Sequence, residues 1–283
     1  MSDKDKAKGK RDFAVRLKTA RKRTTSQQAW LRRQLNDPYV AKAKEAGYRS
    51  RAAFKLVEID DKYHLLKPGM RIVDLGAAPG GWCQVAAERI GITDAGGKVG
   101  AGFPRKASEE GDAGGKVGAG FPRKASEEGD AGGKAVAGFA QNASAKIVAI
   151  DLLEIDPLPG VDFMVMDFTL PEADDILKEK LGGLADGVIS DMAANTTGHK
   201  KTDHLKIVGL AEMALAFARE VLAPGGFFLC KLFQGGETGE LVTDLKRDFT
   251  IVRHVKPASS RADSSELYVL ATGFRGSRED VQT

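Results

Sequence analysis

The sequence has little of several features that each mark a class of protein. Its 2 cysteines, Cys83 and Cys230, have no paired spacing. They fit neither a disulfide framework nor a cysteine zinc site, and they point to a reducing compartment. No apolar run approaches the ~18 residues needed to cross a bilayer. The N-terminus also lacks the apolar core of a secretory signal. It is rich in Lys and Arg, as a mitochondrial transit peptide is, but Asp3, Asp5 and Asp12 argue against that role. A cytoplasmic protein with no membrane attachment is expected. His64, His199, His204 and His254 show no metal-ligand spacing, so no metal is expected.

The chain has 283 residues, 42% of them hydrophobic, which is enough for a substantial core in one large domain or two small ones. The net charge is only +4, but it is unevenly placed, with twelve Lys/Arg against three Asp in residues 1–33. Residues 1–25 read as a basic arm able to meet a polyanion, or as a solubilising tail. Residues 94–111 read DAGGKVGAGFPRKASEEG, residues 112–129 repeat them unchanged, and a decaying third copy starts at Asp130. Such units hold too few apolar residues to form a face, so 94–143 is expected to be a flexible insertion without chemistry of its own. It interrupts a domain expected over 26–275, and 276–283 is left as a tail.

Outside the insertion, strands and helices alternate. Helical spacing covers 26–35 and 49–63, the latter with Ala53, Leu56, Val57 and Ile59 on one face. A Lys-Pro-Gly turn precedes the short apolar strand 71–75, and a helix is expected from Trp82 to Ile90. Further strands are expected at 146–150, 163–166, 187–191 and 227–233, the last after a turn at 224–226. Helices are expected at 172–181, 204–222 and 241–247, and late strands at 250–254 and 267–272. This pattern predicts an α/β fold with a mostly parallel seven-stranded sheet and helices on both faces. Asp74, Asp151, Asp167 and Asp191 fall at or near carboxyl ends of strands, where ligands of such sheets collect.

The stretch Asp74-Leu75-Gly76-Ala77-Ala78-Pro79-Gly80-Gly81-Trp82 joins the first strand to its helix. Its glycines permit tight turning and close backbone approach. It has neither the Gly-Lys-Ser/Thr ending of a phosphate loop nor the GxGxxG spacing of a dinucleotide site. A nucleoside cofactor carrying an amino acid suits it better than one carrying a pyrophosphate. Asp151 is placed to accept hydrogen bonds from ribose hydroxyls.

DLGAAPGGW, with YRSRAAFKL (Tyr48 to Leu56), SDMAAN (Ser190 to Asn195), KLFQG (Lys231 to Gly235) and KPASSRADSSELY (Lys256 to Tyr268), resembles the FtsJ/RrmJ family of ribosomal RNA ribose methyltransferases. The resemblance covers about 26–93 and 144–275. It implies a Rossmann-like class I methyltransferase fold that uses S-adenosylmethionine. Cofactor contacts would fall on Gly80, Trp82, Asp151, Asp167 and Asp191, and a catalytic group on Lys55, Asp191, Lys231 and Glu266. The implied substrate is a uridine 2′-hydroxyl of 23S ribosomal RNA in the large subunit. Transfer RNA is an alternative substrate, and a non-catalytic RNA-binding assembly factor is an alternative of another class. A monomer is expected.

Methyl transfer is an in-line displacement, so alignment matters most, and a weak hydroxyl nucleophile gains from a base. Lys231 stands on an otherwise apolar strand, where an unpaired cation is costly and needs a partner or a task. It is the residue expected to act as base or to activate the hydroxyl, with Asp191 orienting it. Asp191 also reads as a helix cap. Lys55 and Glu266 read, on pattern alone, as a solvated lysine and a surface acid, and only the resemblance gives them roles. Tyr48, Arg49, Ser50, Arg51, Ser260 and Arg261 are expected to touch RNA. Trp30 is expected to pack.

Overall fold

The computed structural model describes residues 24, 28, 31–32, 34–92, 145–194, 197–234 and 238–276. The arm at 1–25 (apart from Thr24), Trp30, the whole insertion at 94–143, Asn195, Gly235 and the tail beyond 276 lie outside them. The residues of the expected first helix that are described, at 28, 31–32 and 34–35, are helical.

Helix α1 (Pro38–Glu45) follows and was not expected from apolar spacing, because it buries only Ala43. It forms because Asp37 caps it, accepting from Tyr39 N at 3.0 Å, and Pro38 opens its first turn. Helix α2 (Ala53–Tyr63) starts later than the spacing at 49–63 predicts. The Arg49 N–H is taken by Gln84 Oε1 at 2.7 Å, so residues 49–52 turn before the helix begins. Strand β1 (Arg71–Leu75), helix α3 (Gly81–Ile90), strands β2 (Lys146–Asp151) and β3 (Val161–Val165), helix α4 (Pro171–Leu181) and strand β4 (Ala185–Ser190) agree closely with expectation. Helix α5 (Lys200–Val221) starts one turn early and runs into strand β5 (Leu222–Phe233). The turn expected at 224–226 is instead an irregularity inside β5, where the pairing with β4 shifts register between Ala185 and Gly187. Helix α6 (Gly239–Asp248), strand β6 (Phe249–Val255) and strand β7 (Glu266–Phe274) complete the chain.

The seven strands form one sheet in the order β3-β2-β1-β4-β5-β7-β6. All neighbours are parallel except β7, which runs antiparallel to both β5 and β6. One face packs on α4, α5 and α6 through Leu177, Phe217, Phe228 and Leu245, and the other on α2 and α3 through Leu56, Val85, Leu229 and Leu270. Burying apolar surface on both faces, at ~25 cal/mol per Å², is what holds the layers together.

The order reverses beside β1, whose neighbours are β2 and β4. In doubly wound sheets ligands bind outside the carboxyl ends of the strands at such a switch point, here β1 and β4. Asp191 N donates to Leu75 O at 3.2 Å, so the loop after β4 is tied to the end of β1.

Candidate active site

The glycine-rich loop begins as β1 ends. Gly76 takes a φ of 79°, and a Cβ there would lie 2.7 Å from the Met192 side chain and 2.8 Å from its backbone. Gly80 takes a φ of 99° as the N-terminal cap of α3, and a Cβ would meet Arg49 Nη1 at 2.9 Å. Glycine is favoured at both positions by backbone conformation, and at Gly76 also by crowding against the Met192 backbone. Asp151, ending β2, accepts from Ala78 N at 2.9 Å through Oδ2 and from Leu153 N at 2.9 Å through Oδ1. Each carboxylate oxygen keeps accepting capacity for a further donor. Asp167 follows β3. Its Oδ1 takes both the backbone N–H and the hydroxyl of Thr169, which hold its carboxyl below the ordinary range.

The Trp82 side chain is buried. Its Nε1 donates to Ala52 O at 2.9 Å, and its ring packs 5.6 Å from that of Tyr268. What Trp82 offers a ligand is therefore its backbone N–H in the open first turn of α3.

Four charged side chains from four separate segments meet at the adjoining sheet edge. Lys231 lies on β5, paired across the ladder with Tyr268 of β7, and two residues farther on Phe233 pairs with Glu266. Period-two alternation puts Lys231, Tyr268 and Glu266 on the sheet face that carries α2. Lys55 comes from α2, and Asp191 from the loop after β4. Lys231 Nζ donates to the Asp191 carbonyl and, at 3.1 Å, to Asp191 Oδ1. Lys55 Nζ stands 2.9 Å from Glu266 Oε2 and 3.6 Å from Asp191 Oδ2. Lys55 and Lys231 are only 6% and 7% exposed. Two cations so deeply placed are tolerable because two carboxylates balance them. Burial works to raise the Asp191 pKa, but the Lys231 and Lys55 cations and the Tyr268 hydroxyl outweigh it, so Asp191 lies below the ordinary carboxylate range.

Two further residues belong here: Tyr268, which the sequence did not single out, and Asp74, one of the acids expected near strand ends. The Tyr268 hydroxyl donates to Asp191 Oδ1 at 2.7 Å, and burial followed by the nearby Asp191 and Glu266 charges raises its pKa. Its position opposite Lys231 in the ladder was the available signal. Asp74 is fully buried beneath the glycine-rich loop. Its Oδ2 accepts from Cys83 Sγ at 3.1 Å, while its Oδ1 has no partner among the described residues.

Most residues expected to face RNA make bonds within the chain. Tyr48 donates to Glu88 Oε2 at 3.2 Å, and Arg49 to the carbonyls of Asp156 at 2.6 Å and Pro157 at 2.9 Å. Arg51 and Arg261 both pair with Asp37, at 2.7 and 3.3 Å. Ser260 Oγ donates to Glu266 Oε1 at 2.9 Å, and the Ser50 hydroxyl is buried. The YRSR segment thus ties the glycine-rich loop to the loop after β2.

A doubly wound sheet with acids at its strand ends, a glycine-rich turn after β1 and an antiparallel β7 defines the methyltransferase class of this architecture. Residues 48–106 and 129–274 match the model of the FtsJ-like methyltransferase family. The chain belongs to that family. It is 57% identical over 273 residues, 96% of this chain and 89% of the relative, to ribosomal RNA large subunit methyltransferase E of Xanthobacter autotrophicus. It is 53% identical over 282 residues, 100% of this chain and 98% of the relative, to the protein of the same name from Azorhizobium caulinodans. Among solved structures, a Plasmodium falciparum protein described as a ribosomal RNA methyltransferase superposes with a TM-score of 0.57 at 29% identity, covering 81% of this chain and 100% of that one.

Proposed function

We propose that this chain is an S-adenosylmethionine-dependent RNA ribose 2′-O-methyltransferase acting on a uridine of large-subunit ribosomal RNA. The observation that carries the chemistry is the convergence of Lys55, Asp191, Lys231 and Glu266, with no member missing and every charge paired. That completeness argues against a non-catalytic assembly factor. The choice of RNA is supported by relatives at 57% and 53% identity that are named for the large ribosomal subunit.

The donor set fits S-adenosylmethionine. Asp151 has acceptor capacity for the ribose hydroxyls, the first-turn N–H groups of α3 suit a carboxylate, and Asp167 and Asp191 offer negative charge to an ammonium and a sulfonium. When bound, this cofactor supplies an activated methyl group. Gly80 and the Trp82 backbone line the loop side of its site. Lys231 is the residue that would activate the ribose hydroxyl, as a hydrogen-bond partner that orients it or as a base when Nζ is neutral. Asp191 holds Lys231 in place through its backbone carbonyl and Oδ1. Lys55 is the second cation next to the nucleophile, fixed by Glu266. The enzyme acts as a monomer in the cytoplasm, where its two free, buried cysteines stay reduced. Among the described residues, no helix is long and apolar enough to cross a membrane.

Lys231→Ala is expected to abolish methyl transfer, lowering kcat by at least about 10²-fold, while binding of S-adenosylmethionine followed by calorimetry stays within a few-fold of the parent. Turnover at the parental rate would remove Lys231 from its role.

A further inference from the structure

We propose that Glu58 and Ser260 are positioning residues of this site, closing a ring of contacts that starts and ends on α2 and fixes Glu266 and Lys55 as one unit. The proposal rests on reading Lys55, Asp191, Lys231 and Glu266 as the catalytic group. The ring runs from Lys55 Nζ to Glu266 Oε2 at 2.9 Å, and from Glu266 Oε1 to the Ser260 hydroxyl at 2.9 Å. It passes along the backbone to Ser259, whose N–H and hydroxyl both donate to Glu58 Oε2, at 2.9 and 3.0 Å. Glu58 lies on α2, one turn beyond Lys55, so both ends of the ring sit on the same stretch of helix. The Tyr39 hydroxyl of α1 donates to Glu58 Oε1 at 3.0 Å, so both oxygens of this carboxylate are used as well. The far end of the loop is held by Lys256 Nζ on Ser264 O at 2.8 Å and by the Glu266 N–H on Ser264 Oγ at 3.2 Å.

A glutamate with one partner has several rotamers open to it. Glu266 has a partner on each oxygen, which leaves Lys55 Nζ one favoured place beside Asp191. Ser259 and Ser260, 1% and 7% exposed, divide the work. Ser259 anchors the loop to α2, and Ser260 orients the carboxylate. Removing the Ser260 hydroxyl therefore spares the anchor and loosens only Glu266. This separates a positioning role from a merely structural one, and from the RNA contact that the sequence suggests for Ser260.

The test is steady-state methyl transfer by the full chain to large ribosomal subunits that lack the modification. Ser260→Ala is expected to lower kcat about tenfold to a hundredfold, the size of losing one hydrogen bond to a charged group, with KM for subunits and for S-adenosylmethionine unchanged. Ser260→Thr, which keeps the hydroxyl, is expected to restore kcat. Glu58→Ala is expected to act in the same direction, and Ser260→Ala with Glu58→Ala together to be no worse than the more damaging single change. If Glu58→Ala does not fold, Glu58→Gln takes its place and is expected to be milder. A raised KM for subunits at unchanged kcat would make Ser260 an RNA contact and overturn the proposal, as would additive losses. Lys231→Ala run in parallel tells the two readings apart. If it turns over normally, the catalytic group is misread. If it is inactive while Ser260→Ala is fully active, only the ring is wrong.

Discussion

Asp74 and Asp191 stand at the carboxyl ends of adjacent strands, yet their carboxyls are driven in opposite directions. Asp191 has two lysines and a tyrosine hydroxyl that outweigh the effect of its burial. Asp74 has only the Cys83 thiol to favour its charged form, while burial and the charges of Asp191 and Asp151 push its pKa up to about 7. An acid with a raised folded-state value binds its proton more tightly in the folded chain. Its contribution to stability is complete below the unfolded value of about 4 and is lost as pH rises through about 7. Asp74→Asn removes that dependence. The stability of Asp74→Asn relative to the parent is therefore expected to rise between pH 4.5 and 7.5 in urea unfolding. A difference that stays flat across this range would show that Asp74 is already ionised at the acid end.

Legibility differed from element to element. Strands β1, β2 and β4 are short apolar runs with an acid at or next to their carboxyl ends, and they could be read directly. Helix α1 could not be read from apolar spacing, because a helix that buries one alanine has no stripe to detect. Its signal was the Asp37-Pro38 start. The irregular start of β5 was hidden as well, since Pro224-Gly225-Gly226 has the composition of a turn and only pairing with β4 keeps it in the sheet. That pairing depends on Gly187, where a Cβ would lie 2.3 Å from the Phe227 ring. Gly187→Ala is expected to cost about 1–3 kcal/mol, as overpacking of a core does, measured by the shift of the urea midpoint. Adding Phe227→Leu should recover part of the loss. If Gly187→Ala unfolds at the parental midpoint, the β4–β5 contact is looser than its geometry implies.

On the scale of the whole molecule, the sheet order and its switch point follow from alternating strands and helices, and the four residues proposed as the catalytic group come from motifs lying far apart in the chain. The bonds that hold this group were not legible. Tyr268 reaches Asp191 across 77 positions and Arg261 reaches Asp37 across 224, and such pairs become neighbours only after the sheet has formed. The arginines of the YRSR segment and of the loop before β7 are expected to contact RNA, and sequence alone does not show that Arg51 and Arg261 also pair with Asp37 or that Arg49 donates to carbonyls. In the folded chain they brace the site. The proposed function is one reaction at one kind of atom. Its most direct test is mass-spectrometric mapping of ribose methylation in ribosomal and transfer RNA from cells with and without this protein. The expected result is loss of a single uridine 2′-O-methyl group from large-subunit ribosomal RNA, restored by the parent chain and not by Lys231→Ala. An unchanged ribosomal RNA, or a loss confined to transfer RNA, would contradict it.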